Sequence, residues 1–188
     1  MADYFDQVAK SLSSLPRETV RAMADRIWQA YTEGAQIFTC GNGGSALAAS
    51  HFVTDLSKGV DLPPGRPRFR ALSLADNLGL LSAYANDLGY EHVFCEPLRN
   101  LVRSGDVLVA VSGSGRSRNV LRAMEVARAS GAAVLALAGR DGGEMPARSD
   151  ICLMAPTESM QQIEDVHLAV LHCLYLDLKA RAEEAQGA

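Results

Sequence analysis

Four side chains that could bind a metal ion or move a proton stand in two pairs on helical segments. His51 and Asp55 are four residues apart, which puts both on one face of a helix. Glu164 and His172 are eight residues apart, an offset of about 80° at roughly 100° per residue, so both can face a common site. Such groups suit zinc or a similar divalent ion, and they also serve as general acid and base. The spacing leaves metal binding, proton transfer and a plain polar helix surface open, and His167 is a further candidate.

A turn rich in hydroxyls, Ser112–Ser117, follows an apolar strand and opens a helix. Its hydroxyls, its backbone N–H groups and the positive end of the helix dipole could converge on one anion, which predicts a phosphate-binding turn. The alternative is an ordinary turn, but three hydroxyls in six residues exceed what a turn requires. The segment lacks the Gly-Lys-Ser/Thr of a P-loop, and Arg118 occupies the third glycine position of a dinucleotide fingerprint, so ATP and NAD are disfavoured.

A second turn, Asn42–Ser45, combines two glycines with polar neighbours directly after a strand. Because Gly43 and Gly44 have no side chains, a sugar or its phosphate could lie against the backbone there. We expect both turns to lie at the carboxyl ends of strands, where ligands bind in open α/β sheets.

The elements that carry these turns alternate between strand and helix. Near-continuous apolar strands separated by helical patterns are typical of a parallel sheet covered on both faces. We therefore predict one α/β domain, residues 1–188, with a doubly wound, mainly parallel five-stranded sheet in residues 35–155. Helices are predicted in residues 1–34, a long last helix in residues 156–188, and an exposed loop at residues 63–67. The predicted strands are residues 36–40, 69–74, 106–111, 133–137 and 151–154, and the helix after the glycine turn spans residues 45–58.

Composition and charge exclude several classes of partner. The 188 residues are 48% hydrophobic, enough for one core, and the net charge of −4 argues against binding to nucleic acid or to a membrane surface. No apolar run reaches about 18 residues, and the first residues lack the basic, apolar pattern of a leader, so we expect a cytoplasmic protein that binds no membrane. Four cysteines without a C-x-x-C pair predict reduced, mostly buried thiols.

Together these segments resemble the sugar isomerase (SIS) domain family, in particular the phosphosugar isomerases of the phosphoheptose isomerase type. The resemblance covers nearly the whole chain and implies a flavodoxin-like sheet. It is carried by motifs in one order along the sequence: Cys40–Ser45, His51, Asn86–Asp87, Ser112–Ser117, Asp141–Gly143 and Ile163–His167.

The resemblance implies an enzyme that interconverts sedoheptulose 7-phosphate and D-glycero-D-manno-heptose 7-phosphate, a step toward the heptoses of bacterial lipopolysaccharide. It also implies a zinc ion and a homotetramer with sites between subunits. Carried over position by position, the implied contacts are Ser112, Gly113, Ser114 and Ser117 for the phosphate, Asn42, Gly43, Gly44, Ser45, Asn86, Asp87 and Glu164 for the rest of the substrate, and His51, Asp55, Glu164 and His172 for the zinc.

Two of these positions depart from the family pattern. Asp55 replaces a glutamate that serves as both ligand and base, and its carboxylate is withdrawn by about 1.5 Å, one carbon–carbon bond. Glu164 replaces a glutamine, and its negative charge favours a divalent ion but disfavours an anionic enediolate. If the chain is an isomerase, the paired helix positions lead us to assign Asp55 as the base and His172 as the acid, with the metal orienting the substrate or polarising its oxygens.

Two other functions stay open at the level of sequence. Some relatives keep the fold, have lost catalytic groups and bind a protein partner such as the bacterial replication initiator. Those regulators typically lack the carboxylate at the position of Asp55 and the histidine at that of His172, whereas this chain has both. The other alternative is isomerisation of a different sugar phosphate.

Overall fold

The structure, a computed structural model, describes residues 2–60 and 67–185. The strands in these residues are β1 (Gln36–Cys40), β2 (Arg70–Ser73), β3 (Val107–Ser112), β4 (Ala133–Gly139) and β5 (Ile151–Ala155). They form one sheet in the order β2-β1-β3-β4-β5, and every neighbouring pair is parallel. The predicted doubly wound parallel sheet is therefore confirmed, with the strand order of flavodoxin-like folds. Of the loop predicted at residues 63–67, only Pro67 lies among the described residues.

Helices cover both faces of this sheet. The sequence prediction missed one of them, α5 (Cys95–Leu101), because a helix of seven residues is too short to show a periodic pattern. Its third residue is Pro97, which a helix tolerates in its first turn.

Within the described residues, no helix is long and apolar enough to cross a membrane. The helices are α1 (Ala2–Ser13), α2 (Arg17–Thr32), α3 (Gly44–Thr54), α4 (Leu78–Asp87), α5 (Cys95–Leu101), α6 (Arg118–Ala129) and α7 (Met160–Glu184).

Alternate residues of the central strand β3 enter two separate cores. Val107, Val109 and Val111 face one side of the sheet, where they pack with residues of α2, α3 and α7. Leu108 and Ala110 face the other side, where they pack with residues of α5 and α6. Since successive side chains of a strand point to opposite faces, both faces of the sheet are buried, which explains why the strands are apolar almost throughout.

The helix predicted over residues 45–58 changes geometry before its end. α3 stops at Thr54 and continues as a π-helix, Asp55–Gly59, whose backbone hydrogen bonds span five residues instead of four. Asp55, the expected base, is the first residue of this segment, and short π-segments are frequent at functional sites. The prediction was therefore wrong about the last turn, because an apolar pattern does not distinguish α from π geometry over so few residues.

The cysteine prediction is wrong for Cys173. Cys40 and Cys95 are buried and Cys152 is partly buried, but Cys173 is exposed on α7. Desolvation raises the pKa of the buried Cys40 to about 12, which keeps this thiol protonated and unreactive. All four thiols are free, as predicted.

Candidate active site

The two predicted turns follow neighbouring strands at the point where the strand order reverses. Residues 41–43 follow β1 and residues 113–117 follow β3, and β1 and β3 pair directly at the centre of the sheet. The helices that follow β1 and β3 pack on opposite faces, so the chain diverges after the two turns, at the place where open α/β sheets have a crevice. In open α/β sheets this reversal point is where ligands bind.

Three hydroxyls of the serine turn converge at the start of α6. Ser112 Oγ lies 3.2 Å from Ser117 Oγ and 3.5 Å from Ser114 Oγ. Ser117 precedes the first residue of α6 and makes no side-chain capping bond, so its hydroxyl faces the turn. Hydroxyls and the N–H groups of a helix N-terminus together suit an oxyanion such as a phosphate.

Arg116, the one cation within the serine turn, is held by a carboxylate outside it. Its guanidinium donates two hydrogen bonds to Asp141, of 3.0 and 2.6 Å. These bonds, and a further one from the Gly143 N–H, lower the pKa of Asp141 to about 2. The pair is exposed, and its bidentate geometry fixes Arg116 toward the loop after β4.

The glycine turn is joined to the start of α6 by two residues that sequence reasoning missed, Asn119 and Tyr90. The amides of Asn42 and Asn119 exchange two hydrogen bonds of 2.9 and 2.8 Å. The Tyr90 hydroxyl donates a third, of 3.0 Å, to Asn42 Oδ1. Asn119 is buried, so these hydrogen bonds hold Asn42 against the interior of the protein. Asn is uncommon inside helices, and its place directly after the serine turn was the only sequence signal.

We expect Asn119→Ala to lower the free energy of unfolding by about 2 kcal/mol, because it removes two hydrogen bonds to the half-buried amide of Asn42. Urea unfolding followed by circular dichroism measures the change. Asn100→Ala, at an exposed asparagine, is the control and should change stability by less than about 0.5 kcal/mol. Equal losses in the two variants would contradict a bridging role for Asn119.

His51, Asp55 and His172 meet where α3 and the π-helix pack against α7. His51 Nε2 lies 3.1 Å from His172 Nε2 and 3.4 Å from Asp55 Oδ2, and His172 Nε2 lies 4.0 Å from the same oxygen. The histidine side chains are 52% and 44% exposed, and that of Asp55 is 20% exposed. The group is thus accessible from solvent on the imidazole side and shielded on the carboxylate side. The shorter side chain of Asp55 does not prevent it from reaching both histidines.

The geometry of this group fits a divalent metal ion. Ligands of one tetrahedral ion with bonds of about 2.0–2.1 Å lie about 3.3 Å apart, close to the separations in the group. Two nitrogens and a carboxylate oxygen are a donor set that zinc accepts. Asp55 Oδ2 is buried and accepts no hydrogen bond within the described residues, which is the state expected of an oxygen reserved for a cation. The described ligand atoms all lie within 4.8 Å of one another.

Glu164, the fourth expected ligand, lies outside this group. Its carboxylate packs against the start of α3, so closely that a Cβ on Gly44 would lie 2.6 Å from Glu164 Oε1. Glu164 and His172 share one face of α7, with an offset of about 80°. Eight residues of α-helix rise about 12 Å, however, so the two side chains lie far apart along the helix axis. Glu164 therefore lies at the glycine turn, one of the two turns that border the crevice.

His167, the further candidate, is a buried structural residue. Its Nε2 donates to the carbonyl oxygen of Ala138 at 3.0 Å, and desolvation lowers its pKa. Only 1% of the residue is exposed, so it does not reach the crevice. The neutral form that burial favours needs no counter-charge.

Asn86 and Asp87 stand at the end of α4, a helix without a buried residue. Asn86 donates a 2.8 Å hydrogen bond to Asp87, and both side chains are exposed. α4 also exposes Leu78 (77%) and Leu80 (44%). The predicted substrate contacts on α4 are thus carried by an element whose apolar side chains lie on the surface of the single chain.

A second cluster, His92, Cys95 and Glu96, has the spacing of metal ligands but the wrong hydrogen bonding. Arg122 approaches His92 Nε2 at 3.4 Å, and arginine has only donors, so this nitrogen accepts. Nδ1 then carries the proton and donates to Glu96 at 3.4 Å, which removes the lone pair that a metal would need. We interpret the cluster as a structural network.

Comparison with known proteins agrees with this geometry. A model of the SIS domain matches residues 3–139. Phosphoheptose isomerase from Helicobacter pylori (strain P12) is 38% identical over 90% of this chain and 86% of the relative. The enzyme of the same name from Akkermansia muciniphila is 38% identical over 92% and 87%. The solved structure of a phosphoheptose isomerase from Neisseria gonorrhoeae has a TM-score of 0.88 at 31% identity, over 95% of this chain and 96% of that one.

The match of the domain model spans most of the chain, and the two relatives at 38% identity extend over 90% and 92% of it. The chain belongs to the SIS domain family.

Proposed function

We propose that this protein is a phosphoheptose isomerase that interconverts sedoheptulose 7-phosphate and D-glycero-D-manno-heptose 7-phosphate. The observation that carries the proposal is the meeting of His51, Asp55 and His172 where the end of α3 and the π-helix pack against α7. Relatives at 38% identity that bear the name phosphoheptose isomerase support it. The serine turn would hold the phosphate, and His51 stands about 10 Å along α3 from Gly44, which leaves room for an extended sugar.

The reaction transfers one hydrogen from C1 to C2 of the ketose through an enediol. Asp55 removes the proton from C1, and the C2 carbonyl oxygen gains a proton from solvent as the enediol forms. His172 then returns a proton at C2, and the C1 hydroxyl releases its proton to solvent and becomes the aldehyde oxygen. The reacting atoms of these two side chains are 4.0 Å apart, and neighbouring sugar carbons are about 1.5 Å apart, so both groups reach the same bond. Exposure of His172 allows it to exchange its proton with solvent.

A divalent ion, when bound by His51, Asp55 and His172, would polarise the substrate oxygens and lower the barrier to proton removal. Glu164 is a further candidate ligand for a substrate-bound state. A histidine that gives its Nε2 lone pair to an ion has no proton on that atom to donate, so the ligand and acid roles of His172 compete. Activity with and without metal separates the two roles.

The exposed apolar side chains of α4 support a homo-oligomer. Leu78 and Leu80 would be covered by a neighbouring copy, and that contact would bring Asn86 and Asp87 to a site between subunits. We propose a homotetramer on this basis. The free, exposed thiol of Cys173 supports a reducing compartment, the cytoplasm.

The test of this function is proton exchange in deuterated water. We expect sedoheptulose 7-phosphate to gain solvent deuterium at the carbon beside its carbonyl, measured by mass spectrometry and NMR. Removal of the metal by a chelator then separates the two roles of His172: a rate that falls at least about tenfold and returns with added zinc assigns His172 as a ligand. A rate that is unchanged after complete metal removal would leave His172 as an acid and contradict the metal centre.

A panel of sugar phosphates in the same assay tests the alternatives. Exchange with a different ketose or aldose phosphate, and none with sedoheptulose 7-phosphate, would identify a different isomerase. No exchange with any of them, with and without zinc, would contradict enzymatic function and favour a protein-binding regulator.

A further inference from the structure

The ligands of the candidate metal centre come from two helical segments whose distance is set only by side-chain packing. His51 and Asp55 belong to the continuous segment formed by α3 and the π-helix, residues 44–59, whereas His172 belongs to α7. The two segments run in the same direction, because both follow strands of a parallel sheet on the same face. The contacts between them occur in chain order: Glu164 at Gly44, His172 at His51 and Asp55, and Tyr175 at Gly59.

The last of these contacts is unusually close. The Tyr175 hydroxyl donates a 3.0 Å hydrogen bond to the carbonyl oxygen of Gly59, which is the last residue of the π-helix. A Cβ on Gly59 would lie 2.5 Å from that hydroxyl oxygen and 2.9 Å from the ring carbon that bears it. Gly59 does not have a positive φ, so its backbone would accept any residue. Only the approach of Tyr175 requires a glycine at this position.

We propose that Tyr175 and Gly59 are positioning residues that set the distance between His172 and the His51–Asp55 pair, and through it the affinity for the metal. Tyr175 lies one turn after His172, and Gly59 lies one turn after Asp55, so their contact borders the ligand group directly. The inference rests on the proposed metal centre of the isomerase. It extends that proposal to two residues that touch neither the ion nor the substrate.

The hydrogen bond of Tyr175 and the lack of a side chain at Gly59 both keep α7 close to the π-helix. Tyr175 is partly buried, and its hydroxyl finds its acceptor only while α7 stays close to the π-helix. A methyl group on Gly59 would occupy the place of the hydroxyl, so either Tyr175 rotates away and loses its bond to Gly59 or the two segments separate. Both responses remove the contact that holds the segments together next to the ligands. Because a metal centre tolerates only small errors in ligand distance, a displacement of a few tenths of an ångström is expected to weaken binding.

The experiment compares wild type, Gly59→Ala and Tyr175→Phe in the full-length chain. Zinc affinity is measured by competition with a chromophoric chelator after metal removal. We expect the dissociation constant to rise at least about tenfold in Gly59→Ala and about threefold or more in Tyr175→Phe. Tyr31→Phe, which removes a similar 3.1 Å bond from a tyrosine to the Pro67 carbonyl oxygen, should leave the affinity unchanged.

Two further measurements separate positioning from a general loss of stability. In a Tyr175→Leu background Gly59→Ala should add little, because its clash partner is gone, whereas two unrelated destabilising changes would add. The crystal structure of Gly59→Ala should show a longer distance between His51 Nε2 and His172 Nε2 than that of the wild type, where the distance is 3.1 Å.

The outcomes distinguish this inference from the proposed function. An unchanged Nε2–Nε2 distance in Gly59→Ala, or zinc affinities equal to that of wild type in both variants, would overturn the inference and leave the isomerase untouched. Absence of zinc binding and of isomerisation in wild type would overturn the proposed function, and the crystallographic distance would still decide whether Gly59 and Tyr175 set the spacing.

Discussion

Replacing Asp55 by asparagine is expected to lower kcat for the aldose–ketose interconversion by about 10³-fold, with little change in the free energy of unfolding. The amide keeps the shape of the carboxylate but has no basic oxygen for the C1 proton. Because Asp55 Oδ2 accepts no hydrogen bond from the described residues, the change breaks few contacts that stabilise the fold. Initial rates with sedoheptulose 7-phosphate and deuterium incorporation under the same conditions measure the loss.

Two comparisons make this result specific. Asp25→Asn removes an exposed carboxylate that bonds Arg181 far from the ligand group, and should leave kcat unchanged. His172→Ala should also lose most activity, because it removes the proposed acid and one expected zinc ligand. Retention of wild-type turnover in both Asp55→Asn and His172→Ala would show that neither residue transfers the proton.

Gly115→Ala is expected to lower the free energy of unfolding by about 3 kcal/mol or more and to abolish phosphate binding. Gly115 has a φ of +63°, and a Cβ there would lie 2.0 Å from the carbonyl oxygen of Gly142. The atoms that this Cβ would meet belong to the backbone of Gly142 and Gly143, so no side-chain rotation relieves the contact. The loop after β4 would have to move away from the serine turn. Urea unfolding and titration with a sugar phosphate measure the two losses.

Gly34→Ala is the matched control for this change. Gly34 has a φ of +69°, but nothing lies within 4 Å of the position of its Cβ. Its variant should therefore lose only the conformational preference of glycine, about 1 kcal/mol. The difference between the two variants reports the close contact of the two turns, and equal losses would contradict that contact.

Local patterns were sufficient to predict the sheet and both turns. The apolar strand Val107–Ser112 and its serine turn are contiguous in sequence, so their order predicts a ligand-binding edge without tertiary information. The link between Asn42 and Asn119 was not predictable in this way. These residues are separated by 77 positions and meet only because β1 and β3 are neighbours in the sheet.

The meeting of His51, Asp55 and His172 was predictable in part for the same reason. The spacing of His51 and Asp55 places both on one helix face, but their meeting with His172 depends on how α3 packs against α7. Angular periodicity predicted that Glu164 would face the same way as His172. It ignored the rise of the helix, and Glu164 lies instead at Gly44. The π-helix was invisible for a related reason, since it alters five residues of an otherwise regular pattern.

Because α3 and α7 run in the same direction, the contacts between them depend on a single register. Glu164, His172 and Tyr175 each meet a counterpart further along the other segment, so a slip of one turn, about 5.4 Å, would disengage all three contacts together. The close approaches of Glu164 to Gly44 and of Tyr175 to Gly59 are possible because neither glycine has a side chain, so after such a slip both side chains would face residues with a Cβ. A shift of register between the two segments would therefore separate the proposed ligands and their flanking contacts in a single step.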